Sequence, residues 1–534
     1  MEDGVFQEIR HCTYRSVLGF HKKYFEDKRW SRRAKRIWRA AKSHYSDHDQ
    51  RWTQLPDAPT ENDVCAWWLG LQQELLASER AAYFRSPQGD QVGAETERQL
   101  GLLVKRKRDG ASDAKHDWKH VSVVGELRTR KDEAVLLQIG SAVRNLFANQ
   151  PLRLFVPAFT LAGTTMESWV FDRSGPYSGA TFDIHEEPEK FIQVMCGYLM
   201  MSDQELGLDT VTTGKNDRLF VTIPVEVRGK MRNRELELDP DPIAFQRAIV
   251  CRGTSCFLAK PKSPSRHDWV AKLPWTSSMR PAGYNWVVKF SWTSGMRPAE
   301  ADLLRKANNR GVKGLAKMVG YHEVVTSISK LRQGLVFPNP HKFRRAQMSS
   351  QSHFSPSEFG GLGMTNSRLA KRKSTDGGSL VSKRCRLSGQ SAQAEHGPYS
   401  AQEPENSVQE PESTSLIQYR PYENRIFRVL AVSPAGRSIS QFRSIVELLE
   451  GLRDAIKAHR SLFMDGRILH RDISENNIII TDPDIADGFK GMLIDLDLAK
   501  EDGMPGGGAR HRTGTMEFRP SRSYGQYPSS IPYA

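Results

Sequence analysis

The 534-residue chain has few cysteines and no long apolar run, and both shortages limit the classes of protein to which it can belong. Its six cysteines are scattered, without the paired spacing of a zinc site or the density of a disulfide framework. We therefore expect reduced thiols in the cytosol or nucleus. No apolar run approaches the roughly 20 residues that span a bilayer, and the acidic opening MEDGVFQEIR is unlike a secretory signal. These absences predict a soluble protein with no membrane partner.

The charge balance is basic, with a formal net charge of +15. Such a balance favours acidic partners, nucleic acid among them, although scattered solvated Lys and Arg with one import cluster explain it more simply. Residues 21–45 read as a basic amphipathic helix with an apolar stripe of Trp30, Ala34, Ile37, Trp38 and Ala41. We expect that stripe to pack on a neighbouring domain, and membrane or nucleic-acid binding is the alternative.

Composition changes sharply from about residue 341 to 418. This stretch is rich in Ser, Gln, Glu, Pro and Gly and has few large apolar residues, so it cannot offset the entropy of ordering and is predicted to be a disordered insert. Within it, KRKSTDGGSLVSKRCR (371–386) resembles a bipartite nuclear-localisation signal. It predicts a nuclear import receptor as a partner and a nuclear or nucleocytoplasmic location. A solvated basic linker is the alternative.

Two segments near the C-terminus carry the strongest chemical signal, ILHRDISENNIIIT (468–481) and GMLIDLDLAK (491–500). Asp472 is followed five residues later by Asn477, and Asp495 comes after two short apolar strands. Protein kinases use this spacing because one carboxylate must meet the substrate hydroxyl while an amide and a second carboxylate hold Mg²⁺ on the phosphates of ATP. The pattern predicts a Mg·ATP-handling core.

A kinase also needs a strand lysine for the phosphates and a helical glutamate that orients it. A local repeat (269–282 and 286–299) is either a recent duplication or an error in how the chain was assembled from its gene, and it offers Lys272 and Lys289. Only Lys289 is followed by a plausible helix, RPAEADLLRKA, whose first turn contains Glu300. We predict a Lys289–Glu300 pair, and two unpaired surface charges are the alternative.

Three further positions complete the kinase pattern. His470 and Arg471 precede Asp472 and form the His-Arg-Asp signature with it. The signal for a phosphate-covering loop is weak, because AIVCRGTSCFLAK (248–260) contains a single glycine, Gly253. Residues 444–463 read as the long helix under the catalytic loop, with a predicted buried face of Leu448, Leu449, Leu452 and Ile456.

Together these segments resemble the fungal-type protein kinases, a divergent branch of the protein-kinase-like superfamily. The strings that carry the resemblance are CRGT, WVVKFSW, RPAEADLL, SPAGR, LRDAIKAHRSL, LHRDISENNI, LIDLDLA and RTGT, with WKHVSVVGELR, NQPLRLFVPAFTLAG and SWVFDRSG in the N-terminal half. The resemblance implies ATP and Mg²⁺ as cofactors and transfer of the γ-phosphoryl group to a Ser or Thr hydroxyl of a protein substrate. It assigns Asp472 as the base, Lys289 as the phosphate anchor, and Asn477 and Asp495 as the metal ligands. The candidate site residues are Gly253, Lys289, Glu300, His470, Arg471, Asp472, Asn477 and Asp495.

The chain departs from the wider kinase pattern in three ways. Ser474 stands where Ser/Thr kinases usually have a Lys, and Leu496-Asp497 replaces Phe-Gly after the metal Asp. After RTGTMEF the chain runs into a polar, Pro-rich tail instead of further helices. Because those helices normally cover apolar side chains worth ~1.5–3 kcal/mol each, we expect a truncated product that is inactive alone.

The N-terminal half raises a second hypothesis. GELR (125–128) after a strand is similar to the Glu-x-Lys of restriction-endonuclease-like folds, in which an Asp on the preceding strand completes a metal site. Here Gly101 stands where that Asp would be and Arg128 replaces the Lys, which leaves Glu126 alone. Hard cations need several oxygen ligands, so we expect a catalytically silent binding module.

We thus expect an α+β protein whose protein-kinase-like domain, an N-lobe and a partial C-lobe, follows a mixed α/β domain of restriction-endonuclease-like type. The alternative function is a non-catalytic nuclear pseudokinase or nucleic-acid-binding scaffold. The predicted segments are a basic helical region (1–60), the mixed α/β domain (61–230), the kinase N-lobe (231–340), the disordered insert (341–418), the hinge, catalytic loop and activation segment (419–518), and an unrelated polar tail (519–534).

Overall fold

The computed structural model describes residues 2–85, 101–107, 117–129, 132–215, 218–227, 230–262, 284–344 and 421–502. Several predictions from the sequence lie outside these ranges. They concern most of the insert, the localisation signal at 371–386, the first copy of the duplication, and the RTGT string with the tail that follows it.

The described residues contain both helices and sheets, as expected for an α+β protein. The helices are α1 (Glu2–Ile9), α2 (Phe20–Phe25), α3 (Ser31–Ala41), α4 (Glu61–Leu75), α5 (Glu133–Asn149), α6 (Pro188–Met200), α7 (Glu300–Asn309), α8 (Ile328–Leu331) and α9 (Ile445–Met464). None of them is long and apolar enough to cross a membrane.

The strands of the described residues fall into two large sheets and three small ones. They are β1 (Tyr45–Ser46), β2 (Arg51–Trp52), β3 (Ala81–Arg85), β4 (Leu102–Arg106), β5 (Val121–Arg128), β6 (Phe155–Ala162), β7 (Thr165–Asp172), β8 (Gly175–Ser178), β9 (Phe182–Asp183), β10 (Thr212–Lys215), β11 (Arg218–Val227), β12 (Lys230–Leu238), β13 (Ala244–Phe245), β14 (Ser255–Pro261), β15 (Trp286–Ser294), β16 (Lys317–Ser327), β17 (Arg425–Ser433), β18 (Arg437–Ser438), β19 (Ile468–Leu469), β20 (Ile478–Ile480), β21 (Gly491–Leu493) and β22 (Lys500–Glu501).

The N-terminal sheet has the order β3-β4-β5-β6-β7-β8, and β9 pairs with β7. Only β5 and β6 run parallel, because α5 crosses between them. An Asp at the start of α5, Asp132, accepts a hydrogen bond from the Ala134 backbone and caps the helix. Apolar residues of α1, including Val5 and Ile9, pack in one cluster with α5. The N-terminal helices and this sheet therefore share their cores.

The second large sheet has the order β10-β11-β12-β14-β15-β17-β16 and is antiparallel throughout. A pairing between Val225 and Gly320 joins β11 to β16. A β-carbon on Gly320 would lie 2.4 Å from the carbonyl oxygen of Pro224, so this close approach requires glycine. The predicted domain boundary at residue 230 falls at the first residue of β12, where Lys230 pairs with Val227 of β11.

Helix α7 follows β15 and packs beside the sheet, with Glu300 and Ala307 buried. Thr293 and Ser294 are the last two residues of β15. The helix begins at Glu300 without a side-chain cap. Because β15 ends at Ser294 and α7 begins at Glu300, a short connection links the strand of Lys289 to the helix of Glu300.

The long helix α9 closely matches its predicted range, but its predicted buried face was wrong. Leu449, Leu452 and Ile456 are 59%, 37% and 71% exposed, and Leu448 is half-buried. The buried face consists instead of small residues with Asp454 and Leu462. The physical reason is a close approach of β21, where a β-carbon on Gly491 would lie 2.0 Å from the Gly451 carbonyl oxygen. Large side chains cannot fit there, so they face the other way.

Candidate active site

The His-Arg-Asp segment is a sharply turned loop between β19 and β20. Arg471 is exposed and has a left-handed backbone (φ 68°), which turns the chain between His470 and Asp472. His470 is fully buried, with Nε2 3.1 Å from the Ile494 carbonyl oxygen, and its Nδ1 accepts a hydrogen bond from the Asp472 backbone at 3.3 Å. Burial lowers the pKa of His470, which favours the neutral ring that this pairing requires. The histidine thereby fixes the start of the loop.

A hairpin brings Asn477 next to the segment that carries Asp495. Strands β20 and β21 pair antiparallel, and Ile494 N donates to Asn477 O at 3.0 Å. Asn477 Nδ2 donates to the Asp472 carbonyl oxygen at 2.7 Å. Asp495 follows β21 with a left-handed φ of 67°. The spacing noticed in the sequence thus corresponds to one compact turn structure in which the three residues are linked through the backbone.

Lys289 lies in the middle of β15 and connects three acidic side chains. Its Nζ is 2.7 Å from Glu300 Oε2, 2.9 Å from Asp495 Oδ1 and 2.8 Å from Asp497 Oδ2. Glu300 also accepts a hydrogen bond from the Leu496 backbone through its other oxygen at 3.0 Å. The structure therefore brings Lys289 and Glu300 together, as the sequence suggested, and joins them to the Asp495 segment.

Glu300, Asp495 and Asp497 form an acidic cluster with ligand oxygens within 4.8 Å of one another, a geometry that could hold a metal ion. Carboxylate oxygens are the ligands that Mg²⁺ prefers. The donor set therefore fits the divalent cation that a kinase uses. In the sequence, Asp497 stands out only as a departure from the Phe-Gly that usually follows the metal Asp. Its place in this cluster depends on the tertiary fold.

Burial opposes charge throughout the acidic cluster, and neighbouring charges decide which groups stay ionised. Although burial lowers it, the pKa of Lys289 is raised well above its ordinary value by Asp495, Asp497 and Glu300. Although burial raises it, Lys289 and Arg252 hold the pKa of Asp495 well below its ordinary value. Burial raises the pKa of Glu300 to about 7 despite Lys289. Of Glu300 and Asp495, Glu300 therefore takes up a proton more readily.

Sequence reasoning missed Arg252, which contributes a second cation to the acidic cluster. Its Nη1 lies 3.6 Å from Asp495 Oδ2 and 3.5 Å from Asp497 Oδ2. The only signal in the sequence was its position beside Gly253. The glycine itself has φ 51°, and a β-carbon there would lie 2.8 Å from Nε of Arg173 in the N-terminal region. Gly253 therefore permits close packing against Arg173.

The second acidic position, Glu126 on β5, has a different environment. It is 1% exposed and paired with Arg128 at 2.7 Å, and one of its oxygens has no hydrogen-bond partner among the described residues. Burial raises its pKa to about 7, against the effect of Arg128. Within the described ranges, the Glu300 cluster is the one group of three or more His, Cys, Asp or Glu residues that could hold a metal ion.

The model of the fungal protein kinase family matches residues 99–520, which is most of the chain. The chain belongs to the fungal protein kinase family. No curated protein matches it. The family match includes every candidate residue of the kinase pattern and also most of the N-terminal sheet, from just before β4 onward.

Proposed function

We propose that this protein is an ATP- and Mg²⁺-dependent kinase that phosphorylates a serine or threonine of a protein substrate. The observation that carries the proposal is the chain of ion pairs from Glu300 through Lys289 to Asp495, within a chain of the fungal protein kinase family. Lys289 lies on β15, Glu300 on α7 and Asp495 in the segment after β21, and the first two are buried while Asp495 is partly buried. The choice of a serine or threonine acceptor rests on the resemblance of the His-Arg-Asp segment to kinases of that type.

In this proposal Mg·ATP supplies the transferable γ-phosphoryl group. Lys289 holds the phosphates, and Glu300 keeps the ammonium group in place through their ion pair. Asp495 and Asn477 hold the metal ion, and Asp497 adds a third oxygen donor from the same turn. These groups position the phosphates and neutralise their charge, which is the main protein contribution to phosphoryl transfer.

Asp472 is the proposed base that accepts the proton of the substrate hydroxyl. The hydrogen bond from Asn477 to its carbonyl oxygen and that from its own amide to His470 fix its backbone. A fixed backbone limits the directions in which the carboxylate can point, which is what proton acceptance at one oxygen requires. His470 and Arg471 are therefore positioning residues in this scheme.

A transfer assay with radiolabelled ATP tests the proposal on the full chain. Asp472→Ala should lower phosphate incorporation into a protein substrate by roughly 10²–10⁴-fold, the usual contribution of general acid–base catalysis. Mg·ATP binding measured by calorimetry should persist in this variant and be abolished in Asp495→Ala. Incorporation that does not depend on Asp472 would contradict the assignment of the base. A chain that binds no nucleotide would favour the pseudokinase or scaffold alternative.

For the N-terminal sheet we propose binding without nuclease chemistry, supported by the isolation of Glu126 and its pairing with Arg128. Basic side chains cover the exposed face of α3, and these are Arg32, Arg33, Lys35, Arg36 and Arg39. The chain should therefore bind duplex DNA with an affinity that falls with salt and should not cleave it when Mg²⁺ is added. Mg²⁺-dependent cleavage that Glu126→Gln removes would overturn this assignment.

We also propose that the basic segment 371–386 binds a nuclear import receptor and gives a nuclear or nucleocytoplasmic location. A fluorescent fusion of the full chain should enter the nucleus. Replacing the lysines and arginines of this segment with glutamine should keep it in the cytoplasm. Unchanged nuclear entry would assign import to another part of the chain.

A further inference from the structure

Arg252 faces the acidic cluster with unused hydrogen-bonding capacity. Its Nη1 is buried, lies 3.5–3.6 Å from carboxylate oxygens of Asp495 and Asp497, and has no hydrogen-bond partner among the described residues. A buried guanidinium nitrogen without such a partner is costly. The side chain therefore has a donor to offer to an anion that enters beside the carboxylates.

The backbone leading to Arg252 is held by the N-terminal region. Glu8 of α1 accepts hydrogen bonds from the amides of Ile249 and Val250 at 2.6 and 3.3 Å. Arg173, in the turn after β7, donates to the Ala248 carbonyl oxygen at 2.6 Å. The side chain of Ile249 is fully buried in the cluster formed by α1 and α5. This segment, residues 246–254, is thus anchored outside the kinase sheet.

On its other side Arg252 is tied to the strand of the phosphate-anchoring lysine. The amide of Trp292 donates to the Arg252 carbonyl oxygen at 2.6 Å, three residues after Lys289. Gly253 follows with φ 51° and packs on Arg173. Contacts on both sides therefore limit where the Arg252 side chain can reach, and they direct it to the same carboxylates that Lys289 contacts.

Resting on the proposed function, we propose that Arg252 binds the terminal phosphate of the nucleotide and that Glu8 and Arg173 position it for this task. A guanidinium matches phosphate oxygens in geometry and charge. The catalytic loop brings no cation of its own two residues after Asp472, since neutral Ser474 stands there. A divalent cation held by Asp495 and Asp497 would balance their negative charge in place of Arg252. The guanidinium would then be able to pair with phosphate.

Calorimetry with Mg²⁺ and either ADP or a non-hydrolysable ATP analogue tests this role in the full chain. Arg252→Gln should weaken binding of the ATP analogue by roughly 10- to 100-fold, as expected for losing a charge-assisted hydrogen bond. Binding of ADP should change much less, because ADP lacks the terminal phosphate. Arg252→Lys, which keeps the charge, should recover part of the preference for the ATP analogue. Arg232→Gln, on an exposed part of β12, is the matched control and should keep the wild-type affinities.

Glu8→Ala tests the positioning from the N-terminal region without touching the cleft. It should lower the preference for the ATP analogue over ADP by a smaller factor than Arg252→Gln, while thermal unfolding reports whether the chain is folded. If Arg252→Gln keeps the wild-type ratio of affinities, or binds the ATP analogue more tightly, Arg252 is not a phosphate ligand and only blocks the site. If the wild-type chain binds neither nucleotide, the proposed kinase function fails first and this role fails with it.

Discussion

Two acidic sites among the described residues differ in the number of charged groups that surround a buried glutamate. In the described part of the N-terminal sheet, Glu126 is a buried carboxylate that pairs with one cation, the half-buried Arg128. In the kinase cleft, three carboxylates converge on the buried Lys289, and Arg252 approaches from a second direction. Both sites contain a glutamate whose pKa is raised to about 7 by burial. The cleft places two further carboxylates and two cations around its glutamate, whereas Glu126 has Arg128 and the outer carboxylate Glu61 beside it among the described residues.

The difference shows why a carboxylate in a familiar motif is not sufficient for chemistry. A divalent cation must replace its water by several oxygens. Among the described residues, the further carboxylate near Glu126 is that of Glu61, and it pairs with Arg128. The cleft supplies oxygens from α7 and from the turn after β21. The Asp495 carboxylate stays ionised there because Lys289 and Arg252 hold its pKa below the ordinary value against the effect of burial.

Removing Lys289 should have the largest effect on stability. Lys289→Met leaves the buried Glu300 and Asp497 and the partly buried Asp495 around an uncharged side chain, so we expect a loss of about 3–5 kcal/mol in the free energy of unfolding. Urea unfolding measures it. Lys262→Met, on the neighbouring strand β14, removes a half-exposed pair with Glu235 and should cost less than about 1 kcal/mol. Equal losses in the two variants would show that the cleft has no special dependence on its lysine.

Replacing Glu126 should have the opposite sign. Its folded-state pKa of about 7 lies above the ordinary 4.5, so the stability that comes from the protonated form is full below pH 4.5 and lost as the pH rises to about 7. Glu126→Gln mimics the protonated form. It should therefore raise the free energy of unfolding by about 3–4 kcal/mol at pH 8, because the pKa is raised from 4.5 to about 7 and one pKa unit corresponds to about 1.4 kcal/mol.

The pH dependence separates this effect from a general gain in stability. The advantage of Glu126→Gln should fade as the pH falls towards 4.5, whereas the exposed Glu186→Gln should show no such trend in denaturant unfolding. A constant advantage at every pH would mean that the glutamine improves packing, and a loss at pH 8 would mean that Glu126 is needed as an anion by Arg128.

The smallest effect should come from the outer carboxylate of the N-terminal site. Glu61 pairs with Arg128 at 3.1 Å, and their side chains are 46% and 29% exposed. Glu61→Gln should change the free energy of unfolding by less than about 1 kcal/mol, because solvent screens an exposed pair. A larger loss, measured by the same unfolding assay, would show that Glu61 and Glu126 act as one coupled site.

Local signals in the sequence predicted much of the fold and of the candidate site. The apolar pattern of VSVVGEL predicts a strand at 121–127 and that of AVLLQIGSAVRNLF predicts a helix at 134–147, and these ranges lie within β5 and α5. Asp472, Asn477 and Asp495 were found through their spacing, and one short hairpin explains that spacing. The face of α9 was predicted wrongly, since apolar residues around the helix gave no sign that β21 approaches at Gly451.

The sequence by itself determined the catalytic pattern, since loop length and strand pairing between Asp472 and Asp495 are local properties. It also determined that Lys289, on a strand before a helix, would be followed by a glutamate in the first helical turn. Only the tertiary structure decided that Asp497 and Arg252 join this cluster. The physical reason is that Arg252 reaches the cleft through contacts with Glu8 and Arg173, residues far away in the chain, and no local pattern records contacts across such distances.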